Sequence, residues 1–309
     1  MYRYVLKRLL LLIPIIVGVT FIVFFILDLT PGDPGRLLLG PLAPQEAVDR
    51  KNEELGYNNP FFTRYLSYMS GALRGDFGES YRTSQPVFSE ILPRFPTTLT
   101  LAFLAVVASV AIGIPLGILS AVRQYSKLDT TATISAMFVA SVPDFWLGLM
   151  LMLLFSLKLR LLPPDGIDSP LGYIMPTLAL ALPSSASILR LTRTTMLETI
   201  RQDYIRTAKA KGASEKSIIW KHALKNALLP IITVVGSQFG YLLGGSIVVE
   251  TVFSVPGLGM LTVTAIKAKD MPQVMGAILF LAVLFVIIML LVDLLYAFVD
   301  PRIKARYKA

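Results

Sequence analysis

Four acidic side chains, Asp28, Asp144, Glu250 and Asp293, fall inside or at the edges of long apolar runs, where a charge needs an explanation. A carboxylate at the centre of a membrane helix costs about 2.5–3.5 kcal/mol on insertion scales, so such groups face protein or water. They allow a proton relay as one reading. Buried hydrogen bonding or snorkelling toward the surface is the ordinary one. Asp144 follows Pro143, a residue that breaks helices and can let water reach the backbone. The remaining reactive inventory is thin. The chain has no cysteine, which removes disulfides and thiolate chemistry, and its single histidine, His222, excludes a multi-histidine metal site. His222 sits in a basic helical stretch with no Ser/His/Asp or zinc-type cluster around it, so neither catalytic nor metal-binding residues are assigned. The Gly-x4-Gly-Lys-Ser/Thr phosphate loop is also missing.

The elements that carry these groups are membrane spans. Among 309 residues, 54% are hydrophobic and 16% charged, well below the roughly 25% charged content of soluble domains. The apolar residues gather in six runs, 9–29, 97–121, 131–157, 171–191, 228–252 and 275–299. A run of about 20 residues crosses a hydrocarbon core of about 30 Å. The first follows Lys7 and Arg8 with no small-residue cleavage site after it, and reads as an uncleaved signal anchor. Segments 1–8, 122–130, 190–227 and 300–309 hold 18 of the 29 Lys/Arg against five acids, whereas the opposite side is neutral. The positive-inside rule therefore places both termini in the cytoplasm. The net charge of +9 is a topology signal rather than a nucleic-acid footprint. The expected fold is an all-α polytopic membrane protein with six transmembrane helices.

Three regions follow: 1–29, the N-terminus and first span; 30–96, an external region; and 97–309, a five-helix core. The external region opens Pro- and Gly-rich and then predicts a short helix near 45–55 and an amphipathic stretch near 60–73. The core carries the cytoplasmic loop 192–227. Within it, Met196, Leu197, Ile200, Tyr204 and Ala208 form one apolar helical face over 194–211, and Arg193, Glu198, Arg201, Gln202, Arg206 and Lys209 a charged one. Gly212 supplies a helix stop and Ser214 an N-cap for a second helix running toward Pro230. This helix–elbow–helix suits either an interfacial loop on lipid headgroups or a protrusion docking in a groove on a cytoplasmic partner. In the fifth span, Gly236, Gly240 and Gly244 recur every four residues, with Gly245 adjacent, and predict close helix packing. Ser237, Gln238 and Tyr241 put polar groups on the same span.

The run from Tyr204 through Arg206, Thr207, Ala208, Lys209, Ala210, Lys211, Gly212, Ala213 and Ser214, continued by His222 to Pro230, resembles the coupling loop of bacterial ABC-importer permeases. It is most similar to the B-type permease of the dipeptide/oligopeptide/nickel family. The wider superfamily pattern has Glu where this chain has Arg206, Ile where it has His222 and Pro where it has Lys225, departures usual in the peptide branch. The resemblance extends along the chain through Arg8-Leu9 and Pro14, Pro31-Gly32-Asp33-Pro34, Phe77-Gly78-Glu79-Ser80, Pro143 to Gly148, Glu250 to Ser254, Pro256 to Gly259 and Tyr296 to Arg302.

That resemblance implies a type I ABC importer permease fold in the bacterial inner membrane. It implies a second homologous permease subunit, two cytoplasmic ATPases that carry ATP and Mg, and an external substrate-binding protein. The chain itself would bind no cofactor and would touch membrane lipid, not nucleic acid. Arg206 to Ser214 would seat in an ATPase groove, and Gln238 and Tyr241 become candidates for the translocation path. The cargo would be a dipeptide or oligopeptide, with nickel chelates or other small solutes as the alternative within the family. Read from its residues, the external segment 253–260, with its Pro-Gly-Leu-Gly turn, suits a binding-protein contact or external gate and equally a structural outer loop. An ATP-independent secondary carrier is the rival class, and it leaves the elbow unexplained. A potassium channel lacks its Thr-Val-Gly-Tyr-Gly filter here.

Overall fold

The computed structural model describes residues 2–30 and 32–299; Pro31 and the 300–309 tail, with the end of the Tyr296–Arg302 motif, lie outside it, as does the side chain of Asp293. The described residues are helical apart from loops and one isolated β-bridge between Glu79 and Pro86. Four helical stretches are long and apolar enough to span a membrane, Val87–Val122, Pro170–Ile200, Glu215–Gly244 and Met271–Val292. A bent pair, Lys127–Ser141 with Asp144–Lys158, makes a fifth if counted as one span. The helix α1 (Tyr2–Leu29) adds a shorter apolar stretch at Ile13–Leu29. The chain is an all-α polytopic membrane protein.

Its residues divide into two compact units. One comprises 5–98 and 256–286. Here α2 (Pro34–Leu39), α3 (Gln45–Glu54) and α4 (Phe61–Ala72) fill the hydrophilic region, the last two where the sequence predicts them. Aromatic rings join α4 to α1: Phe24 lies 5.4 Å from Phe61 and 5.5 Å from Tyr65, both edge-on, the geometry ring quadrupoles favour. The Tyr65 hydroxyl donates to the Val17 carbonyl at 3.1 Å and pairs with the Thr20 hydroxyl at 3.0 Å, so its polar end is satisfied. Asp28 is neutralised by an ion pair with Arg64, whose guanidinium lies 5.2 Å over the Tyr57 ring. Of the two readings for this membrane-edge acid, the structure gives the ordinary one.

Two further polar joints hold this unit. Asp33 caps α2 by accepting from the Arg36 amide at 3.1 Å and from the Asn52 side chain at 2.8 Å, and Asn52 in turn accepts from the Gly35 amide at 2.8 Å. Burial pushes the Asp33 carboxyl up, but these hydrogen bonds and the Arg36 charge outweigh it and hold the group below the usual carboxylate range. Asp270 accepts from the Ser80 hydroxyl at 2.5 Å and the Tyr81 amide at 3.1 Å, tying segment 80–82 to the stretch before α13 (Met271–Val299). Burial, with the Asp270 charge behind it, pushes the Tyr81 phenol up to about 12.

The second unit holds 2–4, 99–255 and 287–299 of the described residues and centres on α8 (Ile174–Ile200). The later part of α5 (Val87–Val122) closes on α8 through Gly113 and Gly117. A Cβ on Gly113 would come 2.8 Å from the Ser185 carbonyl oxygen, and one on Gly117 2.8 Å from that of Leu189. This is a small-residue contact with spacing four, in the second span rather than the fifth. In the fifth-span helix α11 (Leu224–Val252) the expected glycine stripe packs only in part. Gly236 abuts Val292, whereas a Cβ on Gly244 would meet nothing within 4 Å.

The third apolar run is not one straight helix. It breaks by 103° between α6 (Lys127–Ser141) and α7 (Asp144–Leu151). Val142, held extended at φ −87°, ψ 128°, precedes Pro143, whose ring disfavours helical backbone in the residue before it. Asp144 is half-buried in the first turn of α7, where the helix dipole favours an acid. Glu250 is fully buried and accepts from the Ser246 hydroxyl at 2.9 Å, so it is hydrogen-bonded rather than wetted.

Candidate functional site

The loop after α8 forms an elbow, with one change from the sequence expectation. The helix predicted over 194–211 is interrupted: α8 stops at Ile200, Gln202 turns extended at φ −73°, ψ 150°, and α9 (Asp203–Ala210) starts afresh. That break re-phases the apolar face. Ile205 becomes the buried residue of α9, 1% exposed, and Tyr204, assigned to the buried face from the continuous repeat, is 43% exposed. Ile205 packs in a cluster with Ile118 of α5, Met196 of α8, and Ile218, Ala223, Ala227 and Ile231 beyond the elbow. Full burial of such a side chain stabilises by about 1.5–3 kcal/mol, so the root of the elbow is anchored.

The tip is built by capping. Gly212 has φ +82°, its amide donates to the Lys209 carbonyl at 2.9 Å, and the Ala213 amide donates to the Ala208 carbonyl at 3.1 Å. This pair of bonds is the Schellman stop, which needs a left-handed residue and therefore prefers glycine. Ser214 turns extended and its hydroxyl accepts from the Ser217 amide at 3.4 Å, starting α10 (Glu215–Ser217). A π-helical turn, Ile218–Ala223, then leads into α11 with no break. Arg206, Thr207, Lys209, Ala210, Lys211, Gly212 and Ser214 are exposed, and Ala208 and Ala213 partly so. Arg206 makes only a solvent-exposed ion pair with Asp203 at 3.6 Å. A Cβ on Gly212 would meet nothing within 4 Å. A basic, small-residue tip thus stands free of its own chain on a packed base.

Behind the elbow lies a joint that pattern reading passed over. Arg193 Nε and Nη2 donate to the two oxygens of Asp129 at 2.6 and 2.8 Å. Asp129, 3% exposed, also accepts from the Ser120 hydroxyl and from the Tyr125 amide at 2.9 Å. Arg193, on the charged face of the helical repeat, is a bidentate tie between α8, α6 and the end of α5. The residues are 64 apart in sequence, and the only signal available was a lone acid in an otherwise basic loop.

On α11, Gln238 is partly buried and Tyr241 is 61% exposed. Tyr241 continues an exposed line with Thr233, Ser237, Gly244 and Val248 at helical spacing. The Ser237 hydroxyl is turned back to the Thr233 carbonyl at 3.0 Å.

The chain belongs to the family of binding-protein-dependent transport system inner membrane components, whose description matches residues 113–305, with the family's N-terminal part matching 1–102. It is 41% identical to the dipeptide transport system permease protein DppB of Alkalihalophilus pseudofirmus, over 98% of this chain and all of that one. It is 42% identical to the glutathione transport system permease protein GsiC of Escherichia coli K12, over the full length of both. Among solved structures, the inward-facing MetNI methionine ABC transporter matches with TM-score 0.62 at 20% identity, covering 71% of this chain and all of that one. A structure of an amino acid ABC transporter with histidines matches with TM-score 0.53 at 17% identity, over 70% and 94%. The chain is therefore an inner-membrane permease subunit of an ABC importer. It is not itself an enzyme, and it works with an ATPase on a separate subunit and a substrate-binding protein.

Proposed function

We propose that this chain is one of two homologous permease subunits of an importer for short peptides. Two cytoplasmic ATPases, holding ATP and Mg, engage the elbow Arg206–Ser214, and an external binding protein delivers the cargo. The observation that carries the coupling role is the free-standing Gly212 tip on the buried Ile205 base. A tip with small residues permits close backbone approach to a groove, and a rigid base passes the motion on as a rigid-body switch between inward-open and outward-open states. Peptide cargo is supported by the dipeptide and glutathione permeases among its relatives.

The proposed topology has six spans and both termini inside. At 28 residues and 1.5 Å per residue, α1 is about 42 Å long, enough to cross, and the bent pair α6–α7 counts as one broken span. Thr233, Ser237, Gln238 and Tyr241 would border the translocation path, since polar groups on a span are best placed facing water or protein. The test is to extract the tagged chain gently from its native membrane and identify its companions by mass spectrometry, with uptake measured alongside. A second permease and P-loop ATPases are expected to co-purify. A chain that runs alone, with peptide uptake indifferent to ATP depletion, would overturn the reading in favour of a secondary carrier.

A further inference from the structure

Within the unit formed by 5–98 and 256–286, α4 is apolar on two sides, and its own chain covers one of them. Phe61, Tyr65 and Tyr68 make the covered side, packed with Phe21 and Phe24 of α1 and with Met271 and Met275 of α13. Phe62, Leu66, Met69 and Leu73 follow at steps of four, three and four, which align them on one line of the helix. Met69 is half-buried, but Phe62, Leu66 and Leu73 are 64–86% exposed. Single exposed apolar residues are ordinary; a continuous line of them marks a contact surface. The remaining face carries Thr63, Ser67 and Ser70, all exposed and uncharged.

The position of α4 along α1 says what lies against that line. The rings of Phe61 and Tyr65 meet those of Phe21 and Phe24, and the Tyr65 hydroxyl reaches the Val17 carbonyl. Phe21 and Phe24 precede the end of α1 at Leu29 by eight and five residues, about 8–12 Å along the helix at 1.5 Å per residue. Interfacial amphipathic helices bury their apolar face to a comparable depth, about 5–10 Å. The exposed line also continues the surface of the span itself: Phe62 stacks on Phe21 at 6.4 Å, and Ile22, Ile26 and Leu29 of α1 are exposed beside it. The charges of the two helices, Asp28 and Arg64, pair near the end of α1, where the headgroups begin. We propose that α4 lies in the outer leaflet, with Phe62, Leu66 and Leu73 against lipid acyl chains and Thr63, Ser67 and Ser70 toward headgroups and water. The external region is then anchored to the bilayer by its own helix. This goes beyond the importer reading and rests only on α1 as a span.

The test is spin-label accessibility in the assembled importer in nanodiscs. This chain has no cysteine, so the unaltered complex, labelled in parallel, supplies the blank for its partner subunits. Phe62→Cys, Leu66→Cys and Ser70→Cys each receive a nitroxide, with Ile22→Cys on α1 as the lipid reference. Power-saturation EPR compares access to oxygen, which concentrates in lipid, with access to a water-soluble nickel chelate. The labels at 62 and 66 should follow the reference, with oxygen favoured several-fold, and the label at 70 should show the reverse. Nickel favoured at 62 and 66 while the reference stays in lipid would put the line in water and overturn the anchor alone. Low access to both reagents would put a partner subunit over it, with the same consequence. Added binding protein should change neither label; loss of oxygen access on its addition would assign the line to that protein instead. Nickel favoured at the reference as well would remove the α1 span, and the six-span topology with it. Leu73→Cys, just beyond the helix, repeats the measurement if either of the other two stripe variants fails to assemble.

Discussion

At Gly212 the cost to the fold and the cost to function separate cleanly. No atom of this chain lies where its Cβ would be, so Gly212→Ala should cost only the left-handed backbone term, about 1–2 kcal/mol. Gly212→Arg carries the same backbone cost but fills the proposed docking surface. It should reach the membrane in normal amount by immunoblot yet abolish uptake, and full uptake by that variant would remove the coupling role. Asp129 is the opposite case. Removing its charge strands Arg193, and because Arg193 keeps 24% of its side chain exposed the loss should sit near the low end of the range for broken buried pairs, about 3 kcal/mol. Thermal unfolding of Asp129→Asn in detergent measures it. Asp33 gives a pH dependence with a definite sign. Its carboxyl is held below the usual range in the fold, so the unfolded chain binds more protons as pH falls. The stabilisation is therefore present above the ordinary carboxylate value and lost below it, as pH falls through the depressed one. Protease protection of 32–60 should weaken on acidification in the parent chain, and less so in Asp33→Asn.

Among the elements, α9 shows how far periodicity reaches. Hydrophobic spacing located the loop, its stop at Gly212 and the cap at Ser214, because those depend on local chemistry. The break at Arg201-Gln202 was not visible: glutamine is an ordinary helix former, and only docking of Ile205 against Ile118 and Met196 decides the new phase. Ile205→Ala should then cost roughly 2–5 kcal/mol and loosen the base while sparing the tip. ATP hydrolysis by the assembled complex should persist while uptake per ATP falls, and an unchanged ratio would show that the base transmits nothing. The Gly113/Gly117 pair carries the same spacing of four as the glycines of α11, and sequence does not say which stripe meets a neighbour.

For the whole molecule, composition and charge distribution were enough to define a helical membrane protein, because the bilayer leaves few alternatives. The absence of cysteine makes the proposed orientation directly testable. A single Ser214→Cys should react with a membrane-impermeant maleimide only from the cytoplasmic face, and Asn58→Cys only from the outside; the reverse pattern would invert the topology. One further consequence comes from the unbroken helical path from Glu215 through the π turn to Val252. Those 38 residues make a rod of about 57 Å at 1.5 Å per residue, rooted at the elbow and ending beside the buried Glu250. A rod of that length is a lever. Tilting its base by about 5° swings the far end by roughly 5 Å, about the rise of one helical turn. The π turn and Pro230, the two interruptions of regular hydrogen bonding along the rod, both lie in the half nearer the elbow.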